Sequence, residues 1–367
     1  MSYITAIGTA NPTHRFSQST IAEFMLKAMK LNNGDGRKLK TIFNASGIEY
    51  RHSVLEDYGR QNKYSFFAED HSLNTLPSTE ERLGVFRKHA LGLSVAAIDD
   101  MLVSYPAFDL RRVSHLIIVC CTGMYAPGLD IELVRRLGLP STVQRTAINF
   151  MGCYAAFNAL KVAEAFCSMD ASARVLIVCT ELCSLHFQPE GTEDNLLANA
   201  LFADGAAAVL VESDTTSRLR LKMECFHSDL SRDGTQDMAW TVGDLGFEMK
   251  LSAYVPDIIR GGIAALTDSL LSKISKKLDD IQHFAIHPGG KKILRVIEEE
   301  LGISSHQNRH AYAVLQRYGN MSSATVLFVL KELFQSLDAS NISEHILSFA
   351  FGPGLTMESM ILKIESV

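Results

Sequence analysis

Three short segments of the sequence place a reactive or polar side chain where an apolar run ends or a helix is predicted to begin. Cys153 follows a glycine, His287 ends the apolar run 284–286, and Asn320 follows a second glycine. In a parallel sheet, sites lie at the carboxyl ends of strands and at helix starts, so the three residues can converge. A thiol at a helix start is predicted to ionise readily, and the thiolate is the nucleophile. A His and an Asn can donate hydrogen bonds to a developing oxyanion, a contribution of ~10²–10³ in rate.

Each of these residues also has an ordinary structural explanation. His287 could bond its own loop, Asn320 could cap a helix, and most of the seven Cys are typical small core residues. The order Cys, His, Asn is also that of papain-like proteases, and the Cys-to-His interval lies in the range of about 130–150 residues quoted for them. The Cys-Gly-Ser-Cys-Trp pattern of those proteases is absent, so a thiol protease is the least favoured alternative.

The composition is that of a globular protein with a large core. The chain has 367 residues, of which 47% are hydrophobic and 21% charged, and its net charge of −6 gives no whole-chain basic footprint for nucleic acid. The sequence has no apolar run of about 18 residues, so it predicts no membrane span. An odd number of Cys and no visible secretory signal predict reduced thiols and a cytoplasmic location. No Cys-x-x-Cys pair suggests a zinc site.

The elements that would position the three residues alternate between apolar strands and helices. Continuous apolar runs at 115–121, 174–180 and 206–211 are typical of strands that are buried on both faces. This pattern predicts an α/β fold with a mainly parallel sheet covered by helices on both sides. Near the nucleophile it predicts a strand over 146–152 and a helix that begins at Cys153.

The polar segment 213–217 is the best candidate for a boundary, because the strand-and-helix pattern begins again beyond it. The two halves on either side of the boundary have the same order of strands and helices. Together they resemble a duplicated βαβ unit, although their residues do not repeat. We therefore predict one half over 1–213 that carries the nucleophilic Cys, and a second over 214–367 that carries His and Asn.

The ordered motifs together resemble those of type III polyketide synthases, the chalcone-synthase-like branch of the thiolase superfamily. The segment 181–188 is similar to bacterial members of that family. The matching segments cover almost the whole chain and are Ala6–Pro12, Thr79–Ala90, Gly152–Cys153, Ala200–Ala208, His287–Gly290, Tyr318–Ala324 and Phe351–Leu355. The resemblance implies a thiolase-like, five-layered αβαβα fold built from two pseudo-duplicated halves, and a homodimer.

The resemblance also implies a reaction. Cys153 would accept an acyl group from a coenzyme A thioester and carry the growing chain. His287 and Asn320 would bind the thioester carbonyl of malonyl-CoA and stabilise the enolate formed on loss of CO₂, and His287 would also pair with the Cys153 thiolate. Phe202 would be the gatekeeper between the CoA tunnel and the cavity. The product of this acyltransferase would be a pyrone or a resorcinol- or phloroglucinol-type ring, and no metal or redox cofactor is required.

Two groups of residues depart from the plant pattern of the family. Of three basic positions that meet CoA phosphates in plant members, only Lys38 matches; Arg37, Lys40 and Arg51 could substitute, although exposed charges are more often a solvated face. The residues expected around the cavity are Cys183, His186, Ala198, Trp240, Met249 and Ser322. Trp240, the only Trp, suggests a reshaped cavity with a narrow tunnel for an aliphatic starter. Cys183 is expected to line the cavity rather than to be a second reactive thiol.

There are two further alternatives, an enzyme related to this family and a protein with no catalytic activity. A relative of the ketoacyl synthase III or diketide-forming kind would stop after one extension, so the number of malonyl units in the product separates it. A catalytically silent acyl-CoA-binding protein would never become covalently acylated.

Overall fold

Nine of the described strands form one sheet, and helices pack on both of its faces. The structure is a computed structural model that describes residues 1–67, 76–213, 215, 217, 219–231, 234 and 237–366. The helices are α1 (Gln18–Ala28), α2 (Asn33–Ala45), α3 (Thr79–Ser104), α4 (Leu129–Leu137), α5 (Ala155–Met169), α6 (Glu193–Leu201), α7 (Val255–Ser272), α8 (Lys291–Leu301), α9 (Arg309–Tyr318) and α10 (Thr325–Gln335). The strands are β1 (Tyr3–Ala10), β2 (His14–Ser17), β3 (Tyr50–Ser53), β4 (His115–Cys120), β5 (Gln144–Asn149), β6 (Arg174–Leu182), β7 (Asp204–Glu212), β8 (Leu219–Leu230), β9 (Met238–Gly243), β10 (Gly246–Leu251), β11 (His283–Ile286), β12 (His345–Gly352) and β13 (Thr356–Ser366).

The large sheet consists of two groups of strands that have the same topology. The first group has the order β5-β4-β6-β7-β1 and the second has the order β8-β13-β12-β11. In each group the first strand in the chain pairs antiparallel with the last, the last pairs antiparallel with the one before it, and that strand pairs parallel with an earlier one. Among the described residues, the two groups are joined by strand pairing where Tyr3 and Ile4 lie opposite Lys222 and Leu221. The structure therefore has the internal duplication that the sequence predicted.

The prediction of a mainly parallel sheet is wrong. Most strand pairs in the large sheet are antiparallel, and the parallel pairs are β4 with β5, β4 with β6 and β11 with β12. The reason is that in each half the last strand runs antiparallel beside the strand that precedes it in the chain, β7 beside β6 and β13 beside β12. Apolar runs reveal burial on both faces but carry no information about the direction of the neighbouring strand.

The strands of the first half carry apolar side chains on both faces because a helix layer covers each face. On β4, Ile117 faces the core that also contains Phe157 of α5 and Val329 of α10. Its neighbour Ile118 faces a second core that contains Ile98 of α3. Each such side chain contributes ~1.5–3 kcal/mol when fully buried. In the second half, α7 packs against β8 and β13. The central helices α5 and α10 thus lie in the core that strands of both halves share, and these two helices follow the proposed catalytic turns.

Hydrogen bonds between Ser78 and Glu81 fix the start of the long helix α3. The Ser78 hydroxyl accepts a hydrogen bond from the Glu81 backbone N–H, and the Glu81 carboxylate accepts one from the Ser78 backbone N–H. These two bonds form a capping box at the start of α3. In the described part of the chain, α3 and the other helices are too short or too polar to cross a membrane. The boundary segment 213–217 lies partly outside the described residues, so the division at 213 stays a prediction.

Candidate active site

A strained turn, not the helix itself, holds Cys153. The strand before it ends at residue 149, Phe150 and Gly152 have positive φ angles of 59° and 77°, and α5 begins only at Ala155. Cys153 lies in a single 3₁₀ turn between them, so the prediction of a helix starting at Cys153 is wrong by two residues. A Cβ on Gly152 would lie 2.4 Å from Cδ of Pro353. Only glycine fits this contact and tolerates the φ angle at the same time.

Asn320 lies just before the corresponding turn of the second half. A 3₁₀ turn over 322–324 follows it and leads into α10 and then β12, as the Cys153 turn leads into α5 and then β6. The backbone of Asn320 is fixed from both sides, because its N–H donates to Leu201 O at 2.9 Å and its carbonyl accepts from Ala203 N at 2.8 Å. The Ser322 backbone N–H donates to the side-chain Oδ1 at 2.9 Å. This bond fixes the amide orientation, and within the described part of the chain Nδ2 has only a long contact, 3.5 Å, to Gly289 O.

His287 follows β11 directly and is almost completely buried. Its backbone N–H donates to Phe349 O on β12 at 2.8 Å, which fixes the start of the turn. Its side chain is buried, yet neither ring nitrogen has a hydrogen-bond partner among the described residues. Unpartnered buried nitrogens are rare in folded proteins, so both are candidates to bind a substrate. Burial lowers the pKa of His287 to about 3, so the imidazole is neutral.

Burial also disfavours the charged form of Cys153. Its Sγ lies 3.9 Å from Oδ1 of Asn320, and burial raises its pKa to about 12. Hydrogen bonds to Ser322 and Asn320 act in the opposite direction, whereas the negative charge of Glu181 raises the pKa further. The ionisation that the sequence predicts for this thiol is therefore opposed by desolvation, and it stays a prediction.

The structure brings residues from both halves to one place. Cys153 and Asn320 are neighbours, and residue Phe202 forms an isolated backbone bridge with Asn320. The Asn320 amide contacts the carbonyl of Gly289, and the Gly289 backbone N–H donates to the carbonyl of His287. The three residues singled out from the sequence thus converge, and the predicted gatekeeper is beside them.

Two small cavities lie on opposite sides of a common wall. The cavity beside Cys153 has a volume of about 10 Å³, and its neighbour has a volume of about 40 Å³. The wall consists of the residues that line both cavities, which are Cys183, Phe202, Trp240 and Met249. Ser322 lines only the first cavity, whereas His186 and Ala198 line only the second. Every residue predicted to surround the cavity therefore lines one or both of these spaces.

Hydrogen bonds and ring contacts hold the wall in position. The Trp240 indole N–H donates to Cys121 O at 2.7 Å. His186 Nε2 bonds Thr122 O at 2.7 Å, its Nδ1 accepts from Phe247 N at 3.0 Å, and its ring stacks on Phe247 at 4.3 Å. Both nitrogens of His186 are used, and burial lowers its pKa to about 3. His186 is thus a neutral residue that shapes the wall and offers no proton to a substrate.

Arg51 has a different position from the one expected for a CoA-binding cation. It is only 4% exposed, and its Nε donates to Gln18 Oε1 at 2.9 Å. Its Nη1 donates to the carbonyls of Asn199 and Phe202 at 2.8 and 2.7 Å. Cations at the last carbonyls of a helix are favourable, and these carbonyls lie at the end of α6. The hypothesis that Arg51 meets CoA phosphates at the surface is wrong, and its observed contacts fix the Phe202 backbone.

The other proposed cations do lie on the surface. Arg37, Lys38 and Lys40 are exposed on α2, where Lys38 forms a 3.5 Å ion pair with the half-exposed Glu193. Sequence reasoning did not consider Lys291, whose side chain packs against Gly47 just after α2. A Cβ added to Gly47 would lie 3.1 Å from Cδ of Lys291. The signal was present, since two Lys follow the His287 motif directly.

Sequence reasoning also missed Cys121 and Glu181, which support the nucleophile turn from behind. The Gly152 backbone N–H donates to Cys121 Sγ at 3.1 Å. Glu181 is a charged residue inside the apolar run of β6, and it is completely buried. A carboxylate in such a run was the available signal, because unpaired charges are almost never fully buried.

Comparison with known proteins identifies the class to which this fold and site belong. The family models for the N-terminal and C-terminal domains of chalcone and stilbene synthases match residues 1–215 and 223–366. The chain therefore belongs to the chalcone and stilbene synthase family, which confirms the resemblance to type III polyketide synthases. The homologues are polyketide synthases, which are condensing enzymes of the acyltransferase kind.

Individual relatives show how far the likeness extends. The chain is 30% identical to the alpha-pyrone synthesis polyketide synthase-like Pks18 of Mycobacterium tuberculosis, over 98% of this chain and 91% of that protein. It is 30% identical to a putative chalcone synthase of Bacillus subtilis, over 100% of this chain and 99% of the relative. Probable polyketide synthase 1 of Dictyostelium discoideum is 31% identical over 99% of this chain, which spans only 11% of that longer protein.

Solved structures confirm the thiolase-like α/β fold of these enzymes. The C-terminal type III polyketide synthase domain of Steely1, a type I/III hybrid from Dictyostelium, matches with a TM-score of 0.91 and 31% identity, over 100% of this chain and 99% of that one. The enzyme PKS-I of the brown alga Ectocarpus siliculosus matches with a TM-score of 0.91 and 28% identity, over 100% and 98% of the chains.

Proposed function

We propose that this chain loads an acyl-CoA starter on Cys153, extends it with malonyl-CoA by decarboxylative Claisen condensation, and cyclises the product to a pyrone or a resorcinol- or phloroglucinol-type ring. The observation that carries the proposal is that Asn320 contacts both Cys153 Sγ, at 3.9 Å, and the carbonyl of Gly289, two residues after His287, whose buried ring nitrogens have no partner among the described residues. Cys153 also lines a small cavity. It needs no cofactor beyond the coenzyme A thioesters, which are its substrates. The cytoplasmic location predicted from the sequence stays part of the proposal.

Loading begins from a neutral thiol and a neutral imidazole. As Cys153 Sγ attacks the starter thioester carbonyl, the thiol proton passes to a ring nitrogen of His287. The tetrahedral intermediate then expels CoA, which takes the proton from His287 and leaves as a free thiol. His287 is neutral at rest and so has a nitrogen free to accept the proton, but its low pKa makes this transfer uphill, so His287 holds the proton only until CoA takes it.

Extension uses two nitrogen donors, the Asn320 amide and the His287 ring, on the second substrate, malonyl-CoA. The malonyl-CoA thioester oxygen accepts hydrogen bonds from Asn320 Nδ2 and from the N–H of His287. When the C–CO₂ bond breaks, its electron pair forms the enolate, whose negative oxygen these donors stabilise. The enolate carbon attacks the Cys153 thioester, a C–C bond forms, and the electron pair of the broken C–S bond returns to Cys153. The chain, now two carbons longer, remains on CoA until it is transferred back to the thiol.

The walls of the cavity favour an aliphatic starter. The wall residues Phe202, Trp240 and Met249 are apolar, and the spaces on either side are narrow. A slender hydrocarbon chain suits such a channel better than a bulky ring, because apolar surface gains from burial only where it fits. The name of the Mycobacterium relative refers to alpha-pyrone synthesis, which supports a pyrone among the products.

A panel of acyl-CoA starters of increasing length, each incubated with malonyl-CoA, tests the proposal. We expect mass spectrometry to find products that contain two or more malonyl units, with aliphatic starters preferred over aromatic ones. The volume of about 10 Å³ beside Cys153 favours the single-condensation alternative, because it is room for about one water molecule. Products with a single malonyl unit would support that alternative, and no covalent acylation with any starter would contradict the proposal.

Trp240→Ala is expected to widen the range of starters. The indole separates the two cavities, so its removal joins them and leaves space for a longer chain. We expect kcat/KM for long acyl-CoAs to rise by about tenfold relative to short ones, since a few buried methylenes are worth that much. Val242→Ala, a change at a 61% exposed side chain of the same strand, is the matched control. Unchanged starter preference in Trp240→Ala would show that this wall does not limit the chain.

We further propose that CoA phosphates bind on the surface of α2. Lys38, Arg37 and Lys40 are exposed there, and Lys291 lies beside the turn that follows α2. Charge reversal at Lys38 and Lys291 is expected to raise KM for malonyl-CoA, and an unchanged KM would contradict the assignment.

The homodimer is proposed on the exposure of β5. This strand lies at the end of the large sheet, and four of its six side chains are exposed. Unpaired edge strands of this kind are ready to pair with another chain, here a second copy. Light scattering that returned only the 40.5 kDa mass of one chain would contradict this proposal.

A further inference from the structure

The two small cavities near Cys153 leave too little room for a long acyl chain. Their volumes are about 10 and 40 Å³, and a single water molecule already needs about 10–15 Å³ of such space. An acyl chain longer than a few carbons therefore requires that part of the wall moves. The part of the wall that is least firmly attached to the large sheet is the one that can make this room.

The hairpin of β9 and β10 forms one side of the wall and is separate from the large sheet. Its two strands pair with each other, and Trp240 lies directly opposite Met249, so that this pair of side chains lines both cavities. The other wall residues are fixed by the main fold, because Phe202 forms a backbone bridge with Asn320 and Cys183 directly follows β6. A two-stranded hairpin is marginally stable by itself, so its attachments decide whether it stays in place.

The tip of the hairpin is attached to the first residue of α3. The Thr79 hydroxyl donates to the carbonyl of Gly243 and accepts from the Gly246 N–H at 2.8 Å. The Thr79 backbone N–H donates to the carbonyl of Asp244 at 2.9 Å. One residue outside the hairpin thus bonds three of the four residues 243–246 at its turn.

Two side chains that follow β6 hold the same end of the hairpin. Gln188 Nε2 donates to the carbonyl of Leu245 at 3.0 Å, and His186 Nδ1 accepts from the Phe247 N–H at 3.0 Å. Thr79 differs from them because its hydroxyl bonds the last residue of β9 and the first residue of β10 at once. Removal of this one oxygen therefore loosens both strands.

We propose that the β9–β10 hairpin is a lid over the acyl site, and that Thr79 is the positioning residue that holds it closed. The proposal rests on the function proposed above. A long acyl chain displaces Trp240 and Met249 outward, and the hairpin rotates about its other end, where the Gly354 N–H donates to the Met238 carbonyl at 3.2 Å. Burial of the chain offsets the loss of the bonds at the tip, because the gain grows with the apolar area that is buried. A short chain buries too little area to open the lid, so Thr79 influences which starters are accepted.

Trp240 reports the position of the lid, because it is the only Trp in the chain. Thr79→Val removes the hydroxyl and keeps the size of the side chain. We expect acrylamide to quench the fluorescence of this variant more strongly, and the amides of 238–251 to exchange with deuterium about tenfold faster, since the lost hydrogen bonds favour the closed hairpin. Thr79→Ser retains the hydroxyl and should behave as the wild type. Unchanged quenching and exchange in Thr79→Val would overturn the role of Thr79.

Starter kinetics with dodecanoyl-CoA and acetyl-CoA test the effect of the lid on selection. Thr79→Val should lower KM for dodecanoyl-CoA by up to about tenfold, because the apparent affinity rises with the fraction of open lid. KM for acetyl-CoA and kcat with either starter should change little. An equal change in both KM values would show that Thr79 has no part in the selection of starters.

The wild-type protein provides a test that needs no variant. Dodecanoyl-CoA should shift the emission of Trp240, because opening breaks the hydrogen bond from the indole to the Cys121 carbonyl, whereas acetyl-CoA should not. Intact-protein mass spectrometry of the same sample measures the acylation of Cys153. Acylation by dodecanoyl-CoA without a change in emission would overturn the lid. Absence of acylation would contradict the proposed function alone, since quenching and deuterium exchange in Thr79→Val still decide whether the hairpin opens.

Discussion

Cys153→Ala is expected to abolish product formation, with a loss of at least ~10³-fold, because the attachment point of the acyl chain is gone. The wild-type protein incubated with acyl-CoA should gain the mass of one acyl group, and the variant should gain none. The fold should survive the change, since Ala fits the buried site that Cys153 occupies in the core. Intact-protein mass spectrometry and quantification of products from the same incubation make the measurement.

Cys183→Ala is the matched control for the loss of the nucleophile. Cys183 lines the same small cavity, is equally buried, and has a pKa raised well above its usual range by burial. We expect this variant to be acylated at Cys153 as the wild type is. Acylation that persisted in Cys153→Ala and disappeared in Cys183→Ala would show that Cys183, and not Cys153, is the nucleophile.

Replacing Asn320 or His287 by Ala is expected to reduce malonyl-CoA decarboxylation by ~10²–10³-fold in each case, the usual cost of losing one oxyanion donor. The two variants should differ in the loading step. Asn320→Ala should still be acylated by the starter, whereas His287→Ala should load slowly because it has also lost the proton acceptor. Acetyl-CoA release from malonyl-CoA measures the first activity, and acyl-enzyme formation measures the second. The double variant should lose less than the product of the single losses, because the two donors act on one oxygen.

Two controls separate the proposed chemistry from a general loss of structure. Asn320→Asp keeps the shape of the side chain and replaces the N–H donor with an acceptor, so its decarboxylation should be as low as that of Asn320→Ala. His310→Ala removes a partly buried His of α9 whose Nε2 also lacks a partner among the described residues, and activity should be retained. Normal decarboxylation by Asn320→Asp would contradict the donor role.

The sequence contained the information for the site but not for its electrostatics. Cys153, His287 and Asn320 stand in short motifs next to glycines, and such motifs are legible because a tight turn restricts which residues can occupy it. The desolvation of the Cys153 thiol had no signal in the sequence, because it depends on how many atoms exclude water around Sγ. That quantity comes from packing between distant segments and has no local pattern.

Arg51 and Glu181 both show that the surroundings of a charged residue are not evident from its neighbours in the sequence. Arg51 resembles a surface cation in the sequence, yet it packs against the end of α6. Glu181 stands in an apolar strand and resembles an exception of no consequence, yet it joins the two catalytic turns. A helix start such as the Ser78 capping box depends on neighbouring residues alone, so its signal is local. Strand direction failed because it depends on residues far away in the chain.

The correspondence between the Cys153 turn and the Asn320 turn has a consequence for how the proposed chemistry is divided. Both turns lead into a central helix and then into a strand of the same rank in its half. In the proposed reaction one turn is the site of bond formation and the other is the site of charge stabilisation. Neither turn can perform that reaction by itself, so the reaction depends on how the two halves are held together.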